Sequence, residues 1–216
     1  MRIREMVMAT VWMAAANGAE VGRAVVTVRV FDKAGVPAQT AREAGAEAQR
    51  IFREAGVETE WLLCSPAWRA GGQEAGCHKP HGPADLTLGI MPRSMEKDFQ
   101  VPDSAYALAI PSLDGVPAAY AYVLYGRVEE LVKRAKCPET TILAYVMAHE
   151  VGHLLLGRGH TPRGLMGANW DKQALLEAAR GRLGFDGEQA RRLQAEAGAR
   201  NRAAEVATDP FLVAPN

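Results

Sequence analysis

Residues 149–166 read HEVGHLLLGRGHTPRGLM, and this stretch decides the fold and the chemistry. His149 and His153 are four residues apart, so on a helix their side chains lie on one face, about one turn apart. Both imidazoles can then reach one ion at the roughly 2.0–2.1 Å of a zinc–nitrogen bond. Glu150 lies too far round the helix to join them as a ligand, but it can contact a water on the metal. Two histidine ligands and a glutamate acting through water are the chemistry of the H-E-x-x-H pattern.

The residues around this pattern favour a buried helix. A buried His-Glu-His group without a partner would be costly, so the sequence predicts a metal site here rather than core histidines. Gly152 has no side chain where another segment could approach the helix closely. Gly157 and Gly159 can end the helix and bring His160 back to the metal as a third ligand. The apolar neighbours are Ile142, Leu143, Val146, Met147, Val151, Leu154 and Leu155.

The rest of the chain alternates strand and helix patterns. A β-branched run at 25–31, a helical pattern at 40–55 and a second apolar run at 57–63 predict a βαβ unit with parallel strands. The long helix at 139–156 is apolar on most faces and is therefore predicted to cross the centre of the domain. The other predicted strands are 86–91, 106–110 and 119–125, and the other predicted helices are 127–135, 172–182 and one that begins at Asp186.

The 149–166 stretch resembles the signature of the metzincin zinc peptidases, which is H-E-x-x-H-x-x-G-x-x-H followed by a turn containing a methionine. The segment Gly164–Leu165–Met166 is similar to that methionine turn. The resemblance implies an α+β, zincin-like fold, in which a twisted mixed β-sheet packs on the long active-site helix and the C-terminal part is mostly helical. The residues that match the signature in order are His149, Glu150, His153, Gly157 and His160.

The activity that the resemblance implies is that of a zinc-dependent endopeptidase acting on a peptide or protein substrate. In such an enzyme Zn2+ would bind His149, His153 and His160, and Glu150 would act as the general base that takes a proton from the attacking water. An extended peptide can pair with an exposed strand, and the strand at 119–125 is the predicted edge for that pairing.

Two departures from the signature keep other interpretations open. Three residues, 154–156, separate His153 from the glycine instead of two, which adds about 100° of helical rotation. If that turns His160 off the metal, Asp171 or Glu177 would supply the third ligand of a different zinc hydrolase. Ala168 stands where some metzincins have a tyrosine that stabilises the oxyanion. This favours a zinc-stabilised binding module without turnover, whereas the presence of Glu150 argues against one.

Length and charge balance indicate the domain count and exclude one class of partner. The 216 residues suit one sizeable domain, and 25 basic residues balance 25 acidic ones. Dedicated nucleic-acid-binding proteins usually carry a basic excess, so we expect no nucleic-acid partner.

The N-terminus has the pattern of an export signal. Arg2 and Arg4 precede an apolar run of about eleven residues, which fits a signal peptide and is too short to span a membrane. The alternative is a buried first strand or helix. We expect a secreted or periplasmic protein that has no membrane contact once the signal is removed. The predicted boundaries are a signal peptide at 1–19, a single catalytic domain at 20–202 and a loosely held tail at 203–216.

The three cysteines predict one disulfide. Cys64 and Cys77 bracket a polar, turn-rich stretch, which an exported protein would close with a disulfide. Cys137 is then a free, half-buried thiol. A second zinc site formed by Cys77, His78 and His81 has suitable spacing, but the Gly- and Pro-rich loop that carries these residues does not favour it.

Overall fold

The structure is a computed structural model, and it describes residues 24–65, 74–102, 105–110 and 117–208. None of the helices within these ranges is both long enough and apolar enough to cross a membrane. A short 3-10 helix covers Arg93–Asp98. The strands are β1 (Val25–Asp32), β2 (Glu58–Leu63), β3 (Asp85–Met91), β4 (Ala107–Ala109) and β5 (Tyr120–Leu124). The helices are α1 (Ala38–Glu54), α2 (Glu74–Cys77), α3 (Tyr125–Ala135), α4 (Glu139–Leu156), α5 (Lys172–Ala179) and α6 (Gly187–Thr208).

The five strands form one mixed sheet in the order β2-β1-β3-β5-β4. β1 pairs in parallel with β2 and β3, and β3 pairs in parallel with β5. Only β4 runs antiparallel to its neighbour β5. The predicted mixed sheet and the predicted parallel βαβ unit are therefore confirmed. The alternation along β1 explains its orientation, because Val26, Val28 and Val30 are fully buried while Val25 and Phe31 are exposed.

The core lies between the sheet and two long helices. Helix α4 contacts α1 on one side, β3, β4 and β5 on another, and α6 on a third. A helix that is apolar all round has to be buried in this way. Phe52 from α1, Leu88 from β3 and Leu143 from α4 belong to the same buried cluster. This packing holds the central part of α4, and with it His149 and Glu150, in one orientation.

The prediction that strand 119–125 offers the substrate edge is wrong. β5 is an interior strand, because residues 106–110 run along its outer side. The backbone N–H of Leu124 donates to the carbonyl of Tyr106 at 2.9 Å, and that of Ile110 donates to Tyr120 at 2.8 Å. The edge of the sheet next to α4 is therefore β4.

Helix α6 continues to Thr208, so residues 203–208, which the sequence assigns to a loosely held tail, are helical and mostly exposed. The residues at 203–207 read AAEVA, and three of them are alanine, the strongest helix former. Residues 209–216 and the predicted signal peptide at 1–19 lie outside the described residues.

The cysteine prediction is confirmed. Cys64 follows β2, Cys77 ends α2, and the two form a disulfide with a Cα–Cα distance of 5.4 Å. Cys137 is a free thiol, but it is buried rather than half-buried, and burial raises its pKa. The disulfide uses the Cys77 sulfur, so this thiol is not available to the second zinc site with His78 and His81 that the sequence did not favour. His81 instead contacts the Thr87 hydroxyl at 2.7 Å and stacks on Tyr120.

Candidate metal centre

Three histidine side chains converge at the carboxyl-terminal half of α4. The Nε2 atom of His153 lies 3.0 Å from that of His149 and 3.2 Å from that of His160. One ligand atom from each of the three residues falls within 4.8 Å of the others. Nitrogens on a tetrahedral zinc ion are about 3.3 Å apart, given bonds of about 2.0–2.1 Å. The three side chains could therefore hold one metal ion.

The other ring nitrogens are used to orient two of these imidazoles. His149 Nδ1 lies 2.7 Å from the carbonyl oxygen of Leu165, and His153 Nδ1 lies 3.2 Å from that of Gly157. A carbonyl only accepts, so each Nδ1 carries the proton and donates it. The Nε2 lone pairs are then left for a metal, which is the usual arrangement of a ligating histidine.

Burial keeps these imidazoles neutral. Burial, together with the smaller effects of the neighbouring His153 and His160, lowers the pKa of His149 to about 4. Burial also lowers the pKa of His153. Since only a neutral imidazole can bind a metal ion, at least these two side chains are ready to do so at neutral pH without losing a proton.

A glycine-containing loop brings the third histidine into the group. Helix α4 runs through Leu156, so the extra residue of the spacer extends the helix. The chain then turns back at Gly157 and Gly159, whose φ angles of 83° and 125° lie in the region that side chains disfavour. His160 follows this turn directly. The longer spacer is thus absorbed at the two glycines.

A second turn, at residues 164–167, lies beneath the histidines and packs against α4 at Gly152. A Cβ atom at Gly152 would lie 2.7 Å from the Met166 sulfur and 3.0 Å from the Phe185 ring, so only glycine permits this approach. The loop that follows His160 is tied to the same turn, because the Thr161 N–H donates to the Met166 carbonyl at 2.9 Å. The turn therefore contacts both α4, which carries His149 and His153, and the loop that carries His160.

Glu150 is a buried carboxylate beside this group. Only 5% of the residue is exposed, and its Oε1 lies 3.9 Å from His149 Nε2. Its Oε2 is buried and has no hydrogen-bond partner among the described residues. Burial raises the pKa of Glu150 to about 8. A buried oxygen without a hydrogen bond lowers the stability of a protein. Such an oxygen is suited to a partner that binds from outside the chain, such as a water molecule.

The two alternative ligands lie in other local structures. Asp171 caps α5 by accepting the Ala174 N–H at 2.8 Å. Glu177 forms an ion pair with Arg182 at 2.8 Å. The group that could hold a metal contains neither of them.

The histidine group opens into a cleft of about 1350 Å³, which β4 borders on one side. Sequence reasoning missed Trp170, a lining residue with no preceding motif to mark it. Its Nε1 donates to the Leu165 carbonyl at 3.1 Å, the same oxygen that accepts from His149. Its ring meets that of His149 edge-on, with centroids 5.8 Å apart. Ala168, which also lines the cleft, is exposed.

Among known proteins, the chain shows similarity to solved structures only. No protein-family model matches the chain, and no curated protein matches it. The chain is similar to the crystal structure of archaemetzincin from Methanopyrus kandleri, with 16% sequence identity and a TM-score of 0.46. The match covers 81% of this chain and 97% of that chain.

Proposed function

We propose that this protein is a zinc-dependent endopeptidase, with His149, His153 and His160 as the zinc ligands and Glu150 as the general base. The observation that carries the proposal is the convergence of three Nε2 atoms beside a buried carboxylate whose Oε2 finds no partner in the described part of the chain. A cleft of about 1350 Å³ opens onto both.

The donor set suits zinc in a catalytic site. Three imidazole nitrogens are typical zinc ligands, and three protein ligands leave a fourth position open. A structural zinc site would be closed by a fourth protein ligand. A zinc ion held there would supply Lewis acidity, because it lowers the pKa of a water in the open position and polarises a carbonyl oxygen.

The role proposed for Glu150 follows from its place. Its side chain lines the cleft next to His149, yet it lies outside the group of possible ligands. In its ionised form this carboxylate can accept a proton from the attacking water. The same group then returns the proton to the departing amine nitrogen, so the peptide bond breaks with no net change in Glu150.

The edge strand β4 offers a place for an extended substrate. Tyr106 and Ile110 use their backbone groups to pair with β5. In an antiparallel ladder the pairing alternates, so the backbone groups of Ala107 and Ala109 point away from β5 and towards the open edge. Both side chains are small, which lets a second backbone approach. A peptide laid along β4 would pair with these two residues across the cleft from the histidines.

Export is part of the proposal. It is supported by the sequence pattern at 1–19 and by the Cys64–Cys77 disulfide, since disulfides persist in oxidising compartments. The mature enzyme would then act outside the cytosol on peptide or protein substrates.

The test is hydrolysis of an unfolded protein by the zinc-loaded parent, by Glu150→Ala and by Glu177→Ala as the matched control. The parent and Glu177→Ala should cleave it, a chelator should stop them, and zinc should restore them. Glu150→Ala should bind zinc with the parent stoichiometry and lose cleavage by about 10²–10⁴-fold. Equal rates for Glu150→Ala would refute the general-base role. A zinc-loaded parent that cleaves nothing would favour the binding-module alternative.

A further inference from the structure

Helix α6 supplies hydrogen-bond donors to the end of α4. The last four carbonyl groups of an α-helix have no partner inside the helix. In α4 the Leu156 carbonyl accepts from Arg192 Nη2 at 2.6 Å, and the Leu154 carbonyl accepts from Arg200 Nη2 at 2.9 Å. Both donors carry a positive charge, which suits the negative end of a helix dipole. Two guanidinium groups of α6 therefore cap the helix that carries two of the three histidines.

A third side chain of α6 reaches the far end of the loop that follows α4. Gln189 Nε2 donates to the Thr161 hydroxyl at 3.4 Å, and only 6% of Gln189 is exposed. The Thr161 hydroxyl donates in turn to the Arg163 carbonyl at 2.7 Å. The amide oxygen of Gln189 accepts the Asp186 backbone N–H at 3.0 Å. Because this bond holds the oxygen at the start of α6, the amide nitrogen is directed to the loop.

Two of these contacts tie the loop to α6 at both of its ends. The first is made by the last residue of α4 and the second by the residue after His160, so only residues 157–160 lie between them. Gln189 and Arg192 are three residues apart, which places them on the same face of α6. Tying both ends of so short a loop to one helix face removes much of its conformational freedom. The path that is left brings His160 to the other two histidines.

The remainder of α6 is fixed to the fold and can therefore act as a support. Leu193 and Ala197 belong to the buried core cluster. Arg200 is a buried charge whose Nη2 also donates to the Ala118 carbonyl at 3.0 Å, and its Nε pairs with Glu196 at 2.8 Å. The loop before His160, in contrast, is exposed. The helix thus provides a rigid surface to which the loop is attached.

We infer that Arg192 and Gln189 are positioning residues of the metal centre, which hold the loop so that His160 reaches the metal ion. Neither residue belongs to the group of possible ligands, so both act through His160. This histidine depends on such support, because it is exposed and no hydrogen bond orients its Nδ1 in the described part of the chain. The inference rests on the zinc ligands of the proposed function and adds the residues that place the third ligand.

The experiment measures zinc affinity by chelator competition for Arg192→Met and Gln189→Ala, each with a matched control on the same helix. Methionine keeps the apolar stem of Arg192 and removes its donors. Arg191→Met is the control for this change, because Arg191 is exposed and lies outside the lining of the cleft. Gln194→Ala is the control for Gln189→Ala, because Gln194 Nε2 ties α6 to the Ala55 carbonyl of α1 at 2.8 Å rather than to the loop.

Arg192→Met and Gln189→Ala should each weaken zinc binding about tenfold, whereas both controls should keep the affinity of the parent. Arg192→Lys should recover most of the loss, because its ammonium group can still donate to the Leu156 carbonyl. Urea unfolding without metal reports any general effect on the fold, and Gln194→Ala should lower the midpoint without changing zinc affinity. In a His160→Ala background, Arg192→Met should change zinc affinity by less than about twofold, because the ligand that it places is gone.

These measurements separate the inference from the proposed function. Affinities of Arg192→Met and Gln189→Ala equal to those of their controls would overturn the inference and leave the zinc ligands as proposed. So would a tenfold effect of Arg192→Met that persists in the His160→Ala background. If the zinc-loaded parent cleaves no unfolded protein, the endopeptidase proposal fails, while the zinc affinities still decide whether these two residues place His160. A parent that binds no zinc would overturn both.

Discussion

The candidate metal centre has two parts that are held in different ways. His149 and Glu150 lie on α4, with exposed fractions of 9% and 5%, and they are surrounded by the core. His160 is exposed and lies in a loop, and no hydrogen bond orients its Nδ1 among the described residues. The helical part is positioned by the packing of α4 in the core and by the helical period, which fixes the directions of the His149 and Glu150 side chains. The loop part is positioned by two glycine conformations and by contact with the other histidines.

This difference shows that the residues of one metal site can affect folding stability unequally. The helical part has the larger effect on the free energy of unfolding, because it contains a buried carboxylate and a buried imidazole. The His160 side chain is exposed and contributes little to the fold, so its removal should alter metal binding without altering folding. Each prediction below tests that division.

The largest effect is expected from removing one ligand of each part. His149→Ala and His160→Ala should each weaken zinc binding by more than about 100-fold, since even a lost outer contact costs about 10–100-fold. Measured without metal, His149→Ala should also cost about 2 kcal/mol of unfolding free energy, because it opens a cavity and leaves the Leu165 carbonyl with one donor fewer. His160→Ala should change it by less than about 0.5 kcal/mol.

Chelator competition and urea unfolding measure the two quantities on the same preparations. An equal loss of folding stability in His149→Ala and His160→Ala would show that the two parts are not held differently.

The next effect concerns the packing beneath the helical part. Gly152→Ala should destabilise the protein by about 1–3 kcal/mol, because its Cβ would collide with Met166 and Phe185. The matched control is Gly45→Ala in α1. A Cβ there would lie 3.8 Å from the Cβ of Trp61, an ordinary contact, so this change should be neutral or stabilising by up to about 1 kcal/mol. Thermal unfolding of both variants is the measurement, and similar midpoints would contradict the close approach at Gly152.

The buried carboxylate predicts a pH dependence for the metal-free protein. The pKa of Glu150 is about 8 in the folded state and about 4.3 when unfolded. A raised folded-state pKa means that the contribution to stability is fully present below the unfolded value and is lost as pH rises through the folded one. Between pH 6.5 and 8 this loss should reach about 2 kcal/mol. His149, whose folded-state pKa is lowered to about 4, acts in the opposite direction, because the unfolded imidazole loses its proton as pH rises from 6.5. This gain is only about 0.4 kcal/mol, so the decline due to Glu150 dominates.

Denaturant unfolding at several pH values, with a chelator present, tests this dependence. Glu150→Gln should lose the decline between pH 6.5 and 8, because the amide does not titrate. A decline of the same size in that variant would assign it to another group.

The smallest effect is expected in the loop part. Gly157→Ala places a side chain at φ 83° and ψ −170°, a combination that only glycine adopts readily, which costs about 1–3 kcal/mol in strain. Gly35→Ala also changes a glycine with a positive φ, of 79°, and neither Cβ would meet another atom within 4 Å. Both variants should therefore lose folding stability. Only Gly157→Ala should weaken zinc binding, by about tenfold, because only it displaces His160. Equal zinc affinities would show that the loop does not position the third ligand.

The features that follow from local periodicity could be predicted from the sequence. The four-residue spacing of His149 and His153, the burial of α4 and the parallel pairing of β1 with β2 all belong to this class. β4 could not be recognised as the edge strand, because its three residues Ala-Leu-Ala carry no alternation. The contact of Trp170 with the Leu165 carbonyl depends on a turn whose path no pattern reveals. The approach of His160 depends on backbone angles at Gly157 and Gly159, which the sequence permits but does not determine.

The most direct test of the central claim is zinc K-edge X-ray absorption of the zinc-loaded protein, recorded also for His160→Ala, Asp171→Ala and Glu177→Ala. We predict three imidazole nitrogens at about 2.0–2.1 Å and one light non-protein ligand. His160→Ala should lose one imidazole, and the two acidic variants should give the parent spectrum. Two imidazoles and a carboxylate in the parent, unchanged in His160→Ala and altered in Asp171→Ala or Glu177→Ala, would contradict the three-histidine site.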